Sequence, residues 1–363
     1  MRACRHLCYL LSPSDFHDLV SGRRRGLVAS TLRAVLRVAE VPYTAAIAWR
    51  NRGYDRNDAK SFAVEVPVIS VGNLSLGGTG KTPLVEWIAR RLRERQLRVA
   101  IVSRGYGASP GKRNDEALQL EQSLPDVPQL QNRDRVAAAR VAIDELDMQC
   151  IVLDDGFQHR RLRRDLDIVL LDACEPFGHD HVFPRGTLRE PPLGLRRADM
   201  VILSRADLID SQQRESIRHR VLQLNPQADW LEACHAPRCF LASSGTQRPI
   251  DTLVGKRIAA FCGIGNPRGF RHTLAATGVH CEAFREFPDH HQYTRDDVEE
   301  LTRWAEAANI EAVLCTHKDL VKIGVDRLGT RPLWALTVGL KITVGEELLE
   351  DRLRRIGASI AMT

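Results

Sequence analysis

The chain is poor in aromatic residues, at 6%, and has no internal repeat or low-complexity tract. It offers no run of the roughly 20 apolar residues that a membrane-crossing helix needs. Its basic opening, MRACRHLCYLLSPSDF, has an apolar stretch too short for a secretory signal. The nine cysteines are an odd number without framework spacing, which argues for a reducing compartment. Cys234 and Cys239 flank His235, but no second ligand pair follows at zinc-like spacing. Collagen-like and wholly disordered classes are excluded by a composition of 44% hydrophobic and 27% charged residues. A length of 363 residues suits about two domains.

What is present is positive charge, and it is unevenly placed. The net charge is +6, which suits an acidic partner: nucleotide, nucleic acid or anionic lipid. Residues 1–53 hold nine arginines against Asp15, Asp18 and Glu40, a surplus equal to that of the whole chain. Within this segment Val28, Leu32, Val35, Leu36 and Ala39 recur at helical spacing, with Ser30, Arg33, Arg37 and Glu40 on the other face. Pro42 is expected to end or kink that helix, and a second short apolar stretch runs from Tyr43 to Trp49. Two readings stand side by side. The helix lies on a membrane surface, or it packs on the protein's own core with a solvated basic face.

From residue 66 strands and helices alternate. Strands are expected at 66–72, 99–103, 150–153, 168–171 and 200–203, with helices at 83–95 and 134–146, the latter capped by Asp134. A second block after about residue 245 has strands at 258–262, 283–287 and 313–316, and helices near 267–277 and 295–308. The pattern predicts an α/β fold: a parallel sheet domain over 56–245, a smaller α/β domain over 246–363, and an N-terminal amphipathic segment over 1–55.

Between the first strand and first helix lies Gly72-Asn-Leu-Ser-Leu-Gly-Gly-Thr-Gly-Lys-Thr-Pro83. Glycines let a backbone wrap with its N–H groups aimed at a phosphate, and the following helix adds the positive end of its dipole. Gly77, Gly78, Thr79, Gly80, Lys81 and Thr82 are therefore candidate nucleotide-binding residues. Lys81 would reach the β- and γ-phosphates, and the Thr82 hydroxyl would serve Mg²⁺. The usual pattern has a glycine at position 75, where this chain has Ser75. Downstream, the apolar strand 150–153 ends in Asp154 and Asp155, two carboxylates that need a cation and suit Mg²⁺ beside a phosphate loop. The basic run from His159 to Arg164 reads either as a solvated turn or as a phosphate contact. Ser204-Arg205-Ala206-Asp207 faintly echoes the guanine-reading NKxD of nucleotide switches, with arginine for lysine and serine for asparagine.

Taken in order, GNLSLGGTGKTP, SRGYG, NDE, LDDGFQHRRL, PRGTLREP and FPDHHQYT resemble the tetraacyldisaccharide 4′-kinase family over residues 40–350. The resemblance implies a P-loop NTPase-like fold and an ATP- and Mg²⁺-dependent kinase. Its acceptor would be the 4′-hydroxyl of a tetraacyldisaccharide 1-phosphate in lipid A synthesis. It implies that Asp115 of NDE and His290 of FPDHH are the catalytic pair, with His291 the lesser candidate. Because the pair comes from different blocks, the site would lie in a cleft between domains. Asp154 and Asp155 are implied as metal ligands, Asp155 first. Tyr106, Arg135, His159, Arg189 and Glu190 are implied around substrate and nucleotide. The expected partners are the lipid substrate and an anionic membrane surface, without nucleic acid, at the cytoplasmic face of the bacterial inner membrane. Three features depart from the family: the short stretch between SRGYG and NDE, the long N-terminus, and Thr316-His-Lys-Asp319 in place of a TEKD-like turn.

Overall fold

The computed structural model describes residues 13–56, 61–105, 120–121, 123–289 and 291–361. In chain order the helices used below are α1 (Pro13–Val20), α2 (Leu27–Asp55), α3 (Lys81–Glu94), α4 (Arg135–Asp144), α5 (Ser211–Leu224), α6 (Pro267–Ala275), α7 (Arg295–Ala307) and α8 (His317–Ile323). The strands are β1 (Val68–Asn73), β2 (Val99–Ser103), β3 (Gln129–Gln131), β4 (Cys150–Asp154), β5 (Leu166–Asp172), β6 (Met200–Ser204), β7 (Asp229–Leu241), β8 (Gln247–Arg248), β9 (Arg257–Cys262), β10 (His280–Glu286), β11 (Ala312–Thr316), β12 (Arg327–Leu328) and β13 (Arg331–Val344). The expected α/β alternation is present. Asp134 caps α4 as expected, its carboxylate accepting from the Val136 and Ala137 N–H groups.

The chain forms two compact units, each assembled from separated stretches. The first takes residues 1–81, 155–232 and 345–352. In it β1, β5 and β6 pair in parallel, with β5 central. Their side chains are buried along almost their whole length, as parallel strands covered on both faces require. One core cluster gathers Leu74, Phe157, Val169, Leu171, Val201, Leu203 and Trp230. The second unit takes 82–154, 233–344 and 353–363. There β4, β2 and β3 pair in parallel. So do β10, β9, β11 and β13, with β12 antiparallel on β13 and β8 antiparallel on β7.

Two expectations about the N-terminal segment are corrected. The helix does not end at Pro42: α2 runs unbroken for 29 residues with Pro42 inside it. Pro42 is exposed, so the carbonyl it leaves unpaired can tilt toward water. Tyr43 next to it packs on the first unit's core and edges onto Phe183, which fastens the helix beyond the proline. The division of faces also differs. Ala29 and Leu36 point inward against Leu19 and Val20 of α1. Arg33 and Glu40 sit on the inward side too: Arg33 donates to the Leu19 and Arg24 carbonyls, and Glu40 accepts from the Val182 N–H. The outward face is the apolar one, with Leu27, Val28, Val35, Val38, Val41 and Trp49 all more than half exposed. Counting Leu36 with Val28 and Val35 failed because spacing cannot say which of two apolar stripes meets the core.

Gly72 is a tight joint in this unit. A Cβ there would lie 2.5 Å from Phe157 Cβ and 2.7 Å from its backbone nitrogen. Phe157 is fully buried and cannot yield. Gly72→Ala is expected to lower stability by about 1–3 kcal/mol, as overpacking does, measured by urea unfolding. A loss within ~0.5 kcal/mol, the ordinary range of a surface substitution, would show the contact to be soft.

Candidate phosphate-binding site

The site lies at the carboxyl ends of β1, β5 and β6, where open α/β sheets place their ligands. After β1 the chain does not turn at once. Leu76 N–H donates to the Thr187 carbonyl and Arg189 N–H to that of Leu74, each at 2.7 Å, and Ser75 bridges Leu188 antiparallel. Ser75, where a glycine is usual, is thus held in a bridge to Leu188, and the positive-φ turn comes later. It is made by Gly77 and Gly80, with φ of 111° and 87°, a region open to glycine and strained for other residues. Gly77 and Gly78 are exposed, Thr79 is buried, and α3 opens at Lys81.

Lys81 does not reach into solvent. Its Nζ donates to Asn73 Oδ1 at 3.3 Å and lies 3.5 Å from Asp155 Oδ1. Arg189 Nη1 donates to both Asp155 oxygens at 2.7 and 2.8 Å. One carboxylate thus stands between two cations, beside the loop that would hold phosphates. Asp155 has a φ of 56°, unusual for any residue but glycine and kept only where surroundings impose it. The next residues are tied to β1, through Gly156 N–H to the Val71 carbonyl and Gln158 Nε2 to the Asn73 carbonyl.

Glu190, 1% exposed, accepts from Arg197, Gln158 and Asn51. Arg197 in turn lies 4.5 Å over the Phe157 ring. Glu190 is therefore a joint among α2, the 156–158 turn and the 184–190 loop. The basic run after His159 is neither merely solvated nor free for phosphate throughout. Arg160 pairs with Asp55, donates to the Asn51 carbonyl and lies over Tyr54, and Arg164 pairs with Asp167. His159 is half-buried in the turn. Arg205 of the SRAD sequence faces the phosphate loop, donating to the Gly78 carbonyl at 2.7 Å and to Asp172 at 2.5 Å.

In the second unit Thr82 and Arg135 are buried in the first turns of α3 and α4, and Asp154 is buried at the tip of β4. His291 is held by Asp297 at 3.1 Å and packed between Phe287 and Tyr293. The Tyr293 hydroxyl donates to buried Asp319, which also accepts from Gly263 N–H and Thr316. That carboxylate and phenol are both pushed up in pKa, chiefly by burial. Asp115, His290 and Tyr106 lie outside the described residues. Sequence reasoning missed Asn73, Gln158, Arg197 and Asp172, and took Ser204-Arg205 only as an echo of a base reader. The first two stand inside motifs that were singled out, whereas Arg197 and Asp172 carry no local signal.

The donor set suits a metal–nucleotide. The Asp155 carboxylate and the Thr82 hydroxyl are the hard oxygen donors that Mg²⁺ takes. The Thr79 hydroxyl is buried and has no hydrogen-bond partner among the described residues.

A parallel sheet, a glycine loop opening a helix with lysine at its head, and a carboxylate beside that lysine define a P-loop nucleotide-binding protein. The chain matches the family described as Tetraacyldisaccharide-1-P 4'-kinase over residues 32–357. It is 40% identical over 317 residues to the tetraacyldisaccharide 4'-kinase of Anaeromyxobacter sp. (strain K), covering 83% of this chain and 84% of that one. It is 36% identical over 337 residues to the enzyme of that name from Halothermothrix orenii, covering 85% and 88%. Among solved structures it is similar to LpxK from Aquifex aeolicus in complex with ATP, with a TM-score of 0.71 and 32% identity over 90% of this chain and 99% of that chain. The chain belongs to the tetraacyldisaccharide 4'-kinase family and is a kinase.

Lys81→Ala is expected to fold normally and lose at least about 100-fold in phosphoryl transfer, since the loop's side-chain charge is gone. Near-normal turnover by a folded variant would remove Lys81 from the site.

Proposed function

We propose that the chain transfers the γ-phosphoryl group of ATP to the 4′-hydroxyl of a tetraacyldisaccharide 1-phosphate. The observation that carries this reading is the Lys81–Asp155–Arg189 constellation at the glycine loop, in a chain of this family. Phosphoryl transfer asks for alignment and charge neutralisation more than for covalent help. The loop amides and Lys81 bind the β- and γ-phosphates. Asp155, with Asp154 and Thr82, would hold Mg²⁺, which when bound would supply charge neutralisation at the phosphates. When nucleotide arrives, Arg189 and Lys81 have phosphate oxygens to exchange for the carboxylate they now share. Asp115 accepts the proton of the sugar hydroxyl. An ordinary carboxylate is a weak base at neutral pH, so His290 supports it by orientation or by sharing the proton. Tyr106, Arg135 and His159 are assigned to substrate and nucleotide, and Glu190 acts through Gln158 and Arg197.

The decisive assay incubates the full chain with ATP, Mg²⁺ and a tetraacyldisaccharide 1-phosphate. A product one phosphate heavier, at the 4′ position by fragmentation, is expected. ATP hydrolysis without such a product would reject the reading. For the proton-accepting pair, kcat losses of Asp115→Ala and His290→Ala are expected to be strongly non-additive in the double variant. Losses that add would mean two independent residues.

We further place the enzyme at the cytoplasmic face of the membrane by way of α2. No helix among the described residues is long and apolar enough to cross a bilayer, and the association proposed is peripheral. The outward stripe of α2 supports it, with Leu27, Val28, Val38 and Trp49 each exposed by 73% or more. So does charge: Arg23, Arg24 and Arg25 precede a helix with no acidic residue in its first turn. Cations at that end oppose the helix dipole, a cost that anionic headgroups offset at about 1 kcal/mol per arginine. Val28→Asp, Val35→Asp and Val38→Asp together are expected to abolish co-sedimentation with anionic vesicles while ATP binding persists. Undiminished sedimentation would clear α2 of the role.

A further inference from the structure

The SRAD sequence after β6 has an odd geometry for a base-reading motif. Ser204 is fully buried, and its hydroxyl lies 2.7 Å from the Thr79 carbonyl and 3.2 Å from that of Leu171. Arg205 is 6% exposed and adopts a left-handed backbone, with φ 58° and ψ 33°. That conformation brings its guanidinium to the Gly78 carbonyl and to Asp172 at the end of β5. Asp172 is in turn fixed by accepting from the Cys174 N–H at 3.1 Å. Two consecutive carbonyls of the glycine loop are thus held from outside by two consecutive residues of β6's end.

The planar peptide makes this consequential. In a trans peptide the C=O of one residue and the N–H of the next point in opposite directions. Holding the Gly78 carbonyl outward aims the Thr79 N–H the other way, and holding the Thr79 carbonyl does the same for Gly80. Glycine loops owe their phosphate affinity to such aligned amides, and their glycines leave the peptides free to flip. We infer that Ser204 and Arg205 are positioning residues that lock the Gly78–Thr79 and Thr79–Gly80 peptides with their N–H groups turned toward the nucleotide phosphates. The inference rests on the reading of residues 77–82 as the nucleotide-phosphate site. It also gives the arginine of SRAD a task other than base contact.

The test is the affinity of the full-length protein for ADP with Mg²⁺, by calorimetry, together with KM for the lipid acceptor. Ser204→Ala removes one hydroxyl from a buried site and leaves the Arg205–Asp172 pair whole. It is expected to weaken ADP about five- to tenfold, the size of one to one and a half neutral hydrogen bonds, with the lipid KM within about twofold. Ser204→Thr, which keeps the hydroxyl, is expected to retain most of the wild-type affinity. Arg205→Ala strands Asp172 in the interior and is the variant at risk of misfolding. Arg205→Lys, which keeps the charge and N–H donors on one nitrogen but loses the planar fork, is expected to fall between wild type and Ser204→Ala. The inference is overturned if folded Ser204→Ala binds ADP as wild type does. It is also overturned if threonine fails to restore a loss, or if the lipid KM rises in parallel. Lys81→Ala in the same assay separates the two levels. If it weakens ADP and Ser204→Ala does not, the loop stands and the tether falls. If neither weakens ADP, the phosphate-site assignment itself is lost.

Discussion

Asp155 is the point on which the site turns. It occupies a backbone conformation that costs on the order of 1–3 kcal/mol and persists only where surroundings impose it. The surroundings are identifiable. Gly156 is bonded to β1, Phe157 fills the space that Gly72 leaves open, and Arg189 and Lys81 grip the carboxylate from two sides. A side chain at position 72, or a longer turn after β4, would move the carboxylate off the loop. Much of the first unit's local packing serves to keep one acid beside one lysine.

The same packing runs outward to α2. The 182–190 segment grips Asp155 through Arg189, pairs Glu190 with Asn51, and gives its Val182 N–H to Glu40. Arg160, two residues beyond Gln158, reaches Asp55 at the far end of the helix. The helix proposed to rest on lipid is thereby joined at its middle and at its C-terminal end to the loops around the carboxylate. On that proposal, the depth of the helix in the interface would set the height of the site above it.

Much of this was legible in the sequence where chemistry is local. The glycine loop, the strand ending in Asp154 and Asp155, and the Asp134 cap all depend on neighbours in sequence, and the structure has them in place. What was not legible depends on distant partners. Periodicity found an apolar stripe on α2 but not its direction, because Leu36 and Val35 are equally apolar and only the position of α1 separates them. Glu190 looked like a substrate contact within a charged loop. Its burial against Arg197, Gln158 and Asn51 is a tertiary fact. Arg205 resembled a weak base reader, and its left-handed backbone turns it the other way. The helix through Pro42 shows tertiary anchoring by Tyr43 overriding a local breaker.

The central claim is that Asp155, now held by Lys81 and Arg189, is the carboxylate that would serve Mg²⁺ at the nucleotide phosphates. The most direct measurement is the ATP dissociation constant with and without Mg²⁺, for the wild-type protein and for Asp155→Asn. Wild type is expected to bind ATP more tightly with Mg²⁺. Asp155→Asn is expected to lose that gain while binding metal-free ATP at least as well as wild type, since a negative charge near the phosphates is gone. A folded Asp155→Asn protein that keeps the full Mg²⁺-dependent gain would contradict the account.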